Sequence, residues 1–148
     1  FRYAEILLNY AEALNEVNME MNKEEIENCL IQLRKRAGIE AGDDGRYGLP
    51  IHYDQQKMRE IIRNERRIEL AFEEHRFWDI RRWKIAMDVM NEPIRGVEIT
   101  KEADGTFKYN YNVIVRTSTF SERMYWYPIP RGEMNGNTKL TQNPGWNY

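Results

Sequence analysis

Cysteine is nearly absent. Cys29 is the single one in 148 residues, so an intrachain disulfide and a cysteine-built zinc site are both excluded. Histidine is as scarce, and His52 and His75 cannot supply a three-histidine metal site. No run of 18 apolar residues occurs, so no segment reads as a membrane-spanning helix. A surplus of one charge is missing too. Lys and Arg number 22 against 24 Asp and Glu, a net charge of −2, which argues against a dedicated nucleic-acid binder. Glycine-rich phosphate loops of either standard spacing are absent, and Ser118 and Ser121 lack a Gly-x-Ser-x-Gly frame.

Aromatic residues, by contrast, are plentiful. They make up 12% of the chain, with four Trp and nine Tyr, a composition incompatible with disorder. The length fits one domain or part of one. The opening Phe1-Arg2-Tyr3-Ala4-Glu5 has no Met, no charged n-region and no apolar h-region. An amphipathic pattern already runs at residue 1, so the chain is expected to be the back part of a longer protein.

Helical spacing organises the first half. Tyr3, Ile6, Leu7, Tyr10, Leu14 and Val17 form one apolar stripe over residues 2–18, with Ala4, Ala11 and Ala13 beside it to admit a close helix. Asn22 is placed to cap a second helix, whose stripe is Ile26, Cys29, Leu30, Leu33 and Ala37, with Gly38 ending it. So short a connection predicts an antiparallel helical hairpin of the tetratricopeptide type. Residues 38–53 form a Gly-, Asp- and Pro-rich loop, and Asp54 then caps a helical stretch to about residue 90. Met58, Ile61, Ile62, Ile68 and Phe72 carry its first stripe; Ile80, Trp83, Met87 and Met90 carry the second. The phase slips near Glu73–Arg76, which predicts a break there.

After Pro93 the period changes to two. Phe107, Tyr109, Tyr111, Val113 and Val115 alternate with Thr106, Lys108, Asn110, Asn112 and Ile114 as in a half-buried strand. A three-residue loop, Ala103-Asp104-Gly105, would pair Ile99 with Tyr109 and Val97 with Tyr111. From Tyr125 onward the chain reads as short extended pieces and turns, expected to pack across the helices.

The densest charge lies between Lys57 and Lys84, with seven Arg, two Lys and six acids. Pairs at three-residue spacing are expected: Glu60–Arg63, Arg66–Glu69, Glu73–Arg76 and Asp79–Arg82. Glu65 falls in an otherwise apolar row, and an inward carboxylate there requires an Arg partner. Glu65, Glu69 and Glu73 form a four-residue ladder that could meet glycosidase spacing, but so would any acidic helix face, and no second catalytic signal accompanies it. His75, alone on its helix, reads as a polar packing residue. Trp126, Tyr127 and Trp146 lie in the irregular tail, where exposed rings could stack on a sugar; they are the candidate ligand residues.

Several segments resemble the C-terminal part of the SusD/RagB family of nutrient-binding outer-membrane lipoproteins. Arg2-Tyr3-Ala4-Glu5-Ile6-Leu7-Leu8-Asn9-Tyr10-Ala11-Glu12-Ala13 looks like its tetratricopeptide-type helix, and Leu33-Arg34-Lys35-Arg36-Ala37-Gly38-Ile39 like the end of the partner helix. The strongest match runs from Ile61-Ile62-Arg63-Asn64-Glu65-Arg66-Arg67 through His75-Arg76-Phe77-Trp78-Asp79 to Trp83. Tyr127-Pro128-Ile129-Pro130, Glu133, Asn137 and Gln142-Asn143-Pro144-Gly145-Trp146 are similar to the closing motif. Glu74 departs from the pattern, standing where the family commonly has Gly, which leaves open a sharp turn or a continuing helix.

The resemblance spans residues 1–148 and implies a mainly α fold. Its parts are a tetratricopeptide-like helical hairpin, long helices, a small β-hairpin and an irregular C-terminal tail. It implies non-catalytic glycan or oligomer binding without a cofactor. The implied setting is the outer face of the outer membrane, held by an N-terminal lipid and capping a SusC-like TonB-dependent transporter. Glu65, Arg66, Arg76, Asp79 and Arg82 are expected to form a structural network.

Overall fold

A computed structural model describes residues 1–146. The chain divides into two compact units, Phe1–Arg76 and a second beginning at Phe77.

The first unit contains α1 (Tyr3–Asn18), α2 (Lys23–Arg36) and α3 (Gln55–Glu69). Helices α1 and α2 pack as the expected hairpin, and α3 lies against both. Their shared core holds Leu7, Leu8 and Ala11 of α1, Ile26, Cys29, Leu30 and Leu33 of α2, and Met58 and Ile62 of α3. The buried face of α1 is not the stripe of largest residues. Tyr3, Ile6, Tyr10 and Val17 are exposed, while Ala4, Leu7, Leu8, Ala11 and Asn15 face inward. Small Ala4 and Ala11 let the neighbouring helices approach, and each tyrosine keeps its polar tip in water; the Tyr10 hydroxyl donates to Glu25 at 2.9 Å. Ala13 and Ala37 are exposed as well.

Helix ends follow local chemistry in two cases and depart from it in one. Gly38, at φ 81°, ends α2 with the Ile39 N–H donating to the Arg34 carbonyl and the Gly38 N–H to that of Lys35, a Schellman arrangement. The Asp54 carboxylate accepts from the Lys57 N–H at 2.7 Å, capping α3. Asn22 occupies the N-cap position of α2 without capping it. Its amide instead donates to the carbonyls of Asn18 and Leu14, closing the end of α1.

The loop between α2 and α3 lacks secondary structure but is well tied. Arg34 donates to the Tyr47 carbonyl, and Arg46 donates to those of Leu49 and Pro50 and to the Glu27 carboxylate. Tyr53 also donates its hydroxyl to Glu27.

The expected long helix is broken twice. After α3 ends at Glu69, Phe72 and Glu74 adopt φ 64° and 65°, and α4 (His75–Arg82) begins anew. Glu74 thus takes the left-handed conformation that suits glycine, and the chain turns there. Ile68 and Phe72 are exposed as a result, and Leu70 is buried in their place. A second break at Lys84, φ 57°, precedes α5 (Ala86–Asn91).

The second unit has a small core of Ile80, Ala86 and Phe120, joined by Ile85 and Tyr125; Met87 and Met90 are exposed. Strands β1 (Ile94–Lys101) and β2 (Phe107–Arg116) form a two-stranded antiparallel sheet. Ile99 faces Tyr109 as expected, and Gly105, at φ 86°, closes the three-residue loop. Val97 does not simply face Tyr111. A bulge between the Gly96–Val113 and Glu98–Asn110 pairs sets both Tyr111 and Asn112 opposite it. The hairpin is exposed on both faces rather than half-buried. A 3-10 turn (Glu122–Tyr125) and α6 (Arg131–Gly136) follow, regular pieces that turn-rich composition concealed.

Candidate functional site

The tail brings the three candidate aromatics into one stapled segment. The Trp146 indole N–H donates to the carbonyls of Arg123 and Trp126, both at 3.0 Å, and the Arg123 guanidinium lies 4.7 Å from its ring. Gly145, at φ 80°, permits this closure, since a Cβ there would stand 2.7 Å from that of Arg123. The Asn143 amide donates to the Tyr127 carbonyl at 2.6 Å. Gln142 both accepts from the Ile129 N–H and donates to its carbonyl, at 2.8 and 2.9 Å.

The roles within this segment therefore differ. Trp146 is half-buried and its indole N–H is engaged in holding the tail. Trp126 and Tyr127 are 57% and 61% exposed and free to meet a ligand. Trp126 has extended backbone, and successive side chains on extended backbone point to opposite sides. The pair thus presents two separate rings rather than one platform. Sequence reasoning missed Gln142, Asn143 and Arg123 as the residues that shape the segment. Side chain-to-backbone bonds across some 13 to 23 residues leave no periodic trace.

The charged segment is built for architecture. Glu65 is paired with Arg34 at 2.8 Å, with only 13% and 15% of the two side chains exposed, supplying the partner an inward carboxylate needs. Several carboxylates of this segment also join distant parts of the first unit. Glu69 binds Arg2 at 2.9 Å and Arg36 at 2.6 Å, and Glu73 binds Arg2 at 2.6 Å. Glu60 pairs with Lys57, and Asp79 pairs with Arg82 as expected. Arg66 is buried, donates to Asn9 at 2.7 Å and lies 3.4 Å from the His75 ring. His75 in turn faces Glu5 at 3.8 Å, so it packs within a polar cluster.

This arrangement leaves the carboxylate ladder poorly suited to proton transfer. The hydrogen bond from Arg2 holds the Glu73 carboxyl below its usual range, the wrong direction for a general acid at neutral pH. Glu65 and Glu69 already carry guanidinium partners. Among the described residues, no group of three His, Cys, Asp or Glu side chains could hold a metal ion.

Comparison with known proteins agrees with the motifs. The profile of the SusD family matches residues 1–146. The chain is 34% identical over 146 residues to SusD-like protein P2 of Formosa agariphila, covering 98% of this chain and 25% of that protein. A crystal structure of a SusD-like protein from Bacteroides fragilis superposes with a TM-score of 0.73 at 36% identity, over 99% of this chain and 25% of that one. A SusD homolog from Bacteroides thetaiotaomicron gives a TM-score of 0.66 at 30% identity, over 99% and 26%. The chain spans about a quarter of the length of these relatives. By sequence and by fold, the chain belongs to the SusD family.

Proposed function

We propose that this chain is the C-terminal part of a non-catalytic protein that captures glycans or other nutrient oligomers at the bacterial outer surface. In this reading the whole protein is held by an N-terminal lipid and caps a SusC-like TonB-dependent transporter. The observation that carries the proposal is the family match over residues 1–146. The paired carboxylates support binding over hydrolysis. Among the described residues no helix is long and apolar enough to cross a membrane, which suits attachment by a lipid. Cys29 is buried within α2 and is not the lipidated residue.

The test is a glycan array run on this chain and on its full-length parent, with reducing-sugar release measured alongside. Binding by the parent without release of reducing ends is expected. Hydrolysis that disappears in Glu69→Gln or Glu73→Gln would sink the binding-only reading. Binding by the chain itself would assign a ligand contact to residues 1–148, and Trp126→Ala and Trp146→Ala should then weaken it.

A second reading rests on a separate observation. The exposed row Tyr3, Ile6, Tyr10 and Val17 on α1 suits a scaffold that contacts the transporter without touching ligand. Photo-crosslinking from position 6 or 10 in the parent would yield a transporter adduct under that reading.

A further inference from the structure

A period-two sequence makes one face of a strand for burial. In the β1–β2 hairpin that face exists and is uncovered. Ile99 stands opposite Tyr109 and Lys101 opposite Phe107, and directly paired residues put their side chains on one side of the ribbon. Val97 joins them by alternation along β1. Tyr111 follows Tyr109 on the same side, where the two rings stack with centroids 6.1 Å apart and 15° between planes. The opposite side carries Glu98 across from Asn110 and Thr100 across from Lys108. The hairpin is therefore amphipathic, yet Val97, Ile99, Phe107, Tyr109 and Tyr111 remain between 48% and 64% exposed.

Surface area and chain length together say what covers it. Three half-exposed rings and two aliphatic side chains leave about 400–500 Å² of apolar surface open, whereas each partner in a standard complex contributes about 800 Å². A second copy docked face to face falls well short of that. A segment of the same polypeptide needs less area, because its effective concentration at the face is already about millimolar. Residues 1–148 span only about a quarter of the length of the relatives they match, so most of a relative's length lies outside them.

We propose that the apolar face of the β1–β2 hairpin is the docking surface for a segment of the parent polypeptide outside residues 1–148. That segment lays apolar side chains on the rings and turns an acidic group toward Lys101, the one charge on this face near the hairpin tip. A lone two-stranded hairpin is marginally stable. With both edges unpaired among the described residues, it also invites pairing with other chains. The docked segment supplies the burial that the alternating sequence demands. The proposal rests on the reading of this chain as part of a longer protein, and not on which ligand that protein captures.

The test is made in the full-length parent. A photoreactive phenylalanine analogue at position 109, close to tyrosine in shape, reports what the apolar face touches. The same analogue at position 108 is the control on the polar face. Isotopically heavy and light parent are mixed, so that crosslinks within one polypeptide are told from crosslinks between copies. Position 109 should crosslink, within one polypeptide, to peptides outside residues 1–148, and position 108 should yield little of that product. Amide exchange over residues 94–116 should run about a hundredfold slower than in a synthetic peptide of those residues, against about tenfold or less for an uncovered hairpin. Tyr109→Ser/Tyr111→Ser should remove most of that protection, and Lys108→Ala should leave it in place.

Crosslinks confined to residues 1–148 overturn the proposal by finding the cover within this chain. Crosslinks joining heavy to light parent overturn it in favour of a second copy. Absence of any crosslink from position 109, or exchange near the peptide rate, overturns it as well and leaves the face open for a separate protein. Each of these outcomes leaves glycan capture by the parent standing, since the array reads that independently.

Discussion

The two units reach order by different means. Among the described residues, thirteen apolar residues of the first unit are buried in one cluster, against three in the second. In the first, arginine–carboxylate pairs ring a core that hydrophobic burial already holds. In the second, short elements are tied by side chains bonding to backbone. Asn91 donates to and accepts from Phe120, Gln142 does the same with Ile129, and Trp146 closes on Arg123 and Trp126. Burial draws on many contacts at once, so its loss propagates through the unit. A tether acts where it is tied, so its loss stays local.

That contrast can be broken most forcefully from the core. Leu30→Ala, at a fully buried position, should cost about 2–5 kcal/mol, read as a lower urea midpoint in the helical circular dichroism. A loss well under 1 kcal/mol would contradict the core described for the first unit.

Next in size is Arg34→Ala, which strands the half-buried Glu65 carboxylate and the Tyr47 carbonyl. About 2–3 kcal/mol should be lost, and Glu65→Gln in the same background should restore part of it. An acid signature accompanies these contacts. Burial raises the Glu27 carboxyl, but hydrogen bonds from Arg46 and Tyr53 outweigh it and leave the group below the usual carboxylate range. A depressed carboxyl stabilises above its unfolded pKa and loses that contribution as pH falls through the folded value. The urea midpoint of the first unit should therefore drop as pH is lowered below about 4.5. Glu27→Gln should flatten that slope.

A smaller effect is expected from a tether. Asn91→Ala removes both bonds to Phe120 and should cost about 1–2 kcal/mol. Faster amide exchange at Phe120, with the α1–α3 amides unchanged, is the outcome that sharpens the contrast. Equal acceleration in both units would erase it.

Least of all should change with Glu74→Gly. It relieves a φ of 65° but frees the unfolded chain, for a net gain of no more than about 1 kcal/mol. A measurable fall in thermal midpoint would mean that the Glu74 side chain holds something the backbone does not.

Legibility in the sequence divides along similar lines. Three helices, the loop at Gly105, the partnered Glu65 and a break near Glu73 are readable because each has a local cause. Spacing, a left-handed glycine, or a charge in an apolar row is visible within a few residues. The inward face of α1 was not readable in this way. That helix carries apolar residues around much of its circumference, and two alanines, not the tyrosines, decide which side a neighbour can approach. The loop ties of Arg34 and Arg46 and the tail staples of Gln142 and Trp146 were hidden for another reason: a carbonyl acceptor is the same at every residue. Among the candidate ligand residues, the tail aromatics stand out by composition, whereas the one-residue bulge in the hairpin is invisible to a period-two reading.

Arg2 donates to the Glu69 carbonyl and to the carboxylates of Glu69 and Glu73. The segment before α1 and the segment after α3 are thereby pinned at a single point. A module whose entrance and exit coincide behaves as a cassette: it can be spliced into a host chain without prying the host apart. It also resists being pulled open from its ends, because tension applied there loads the guanidinium clasp before it reaches the helices.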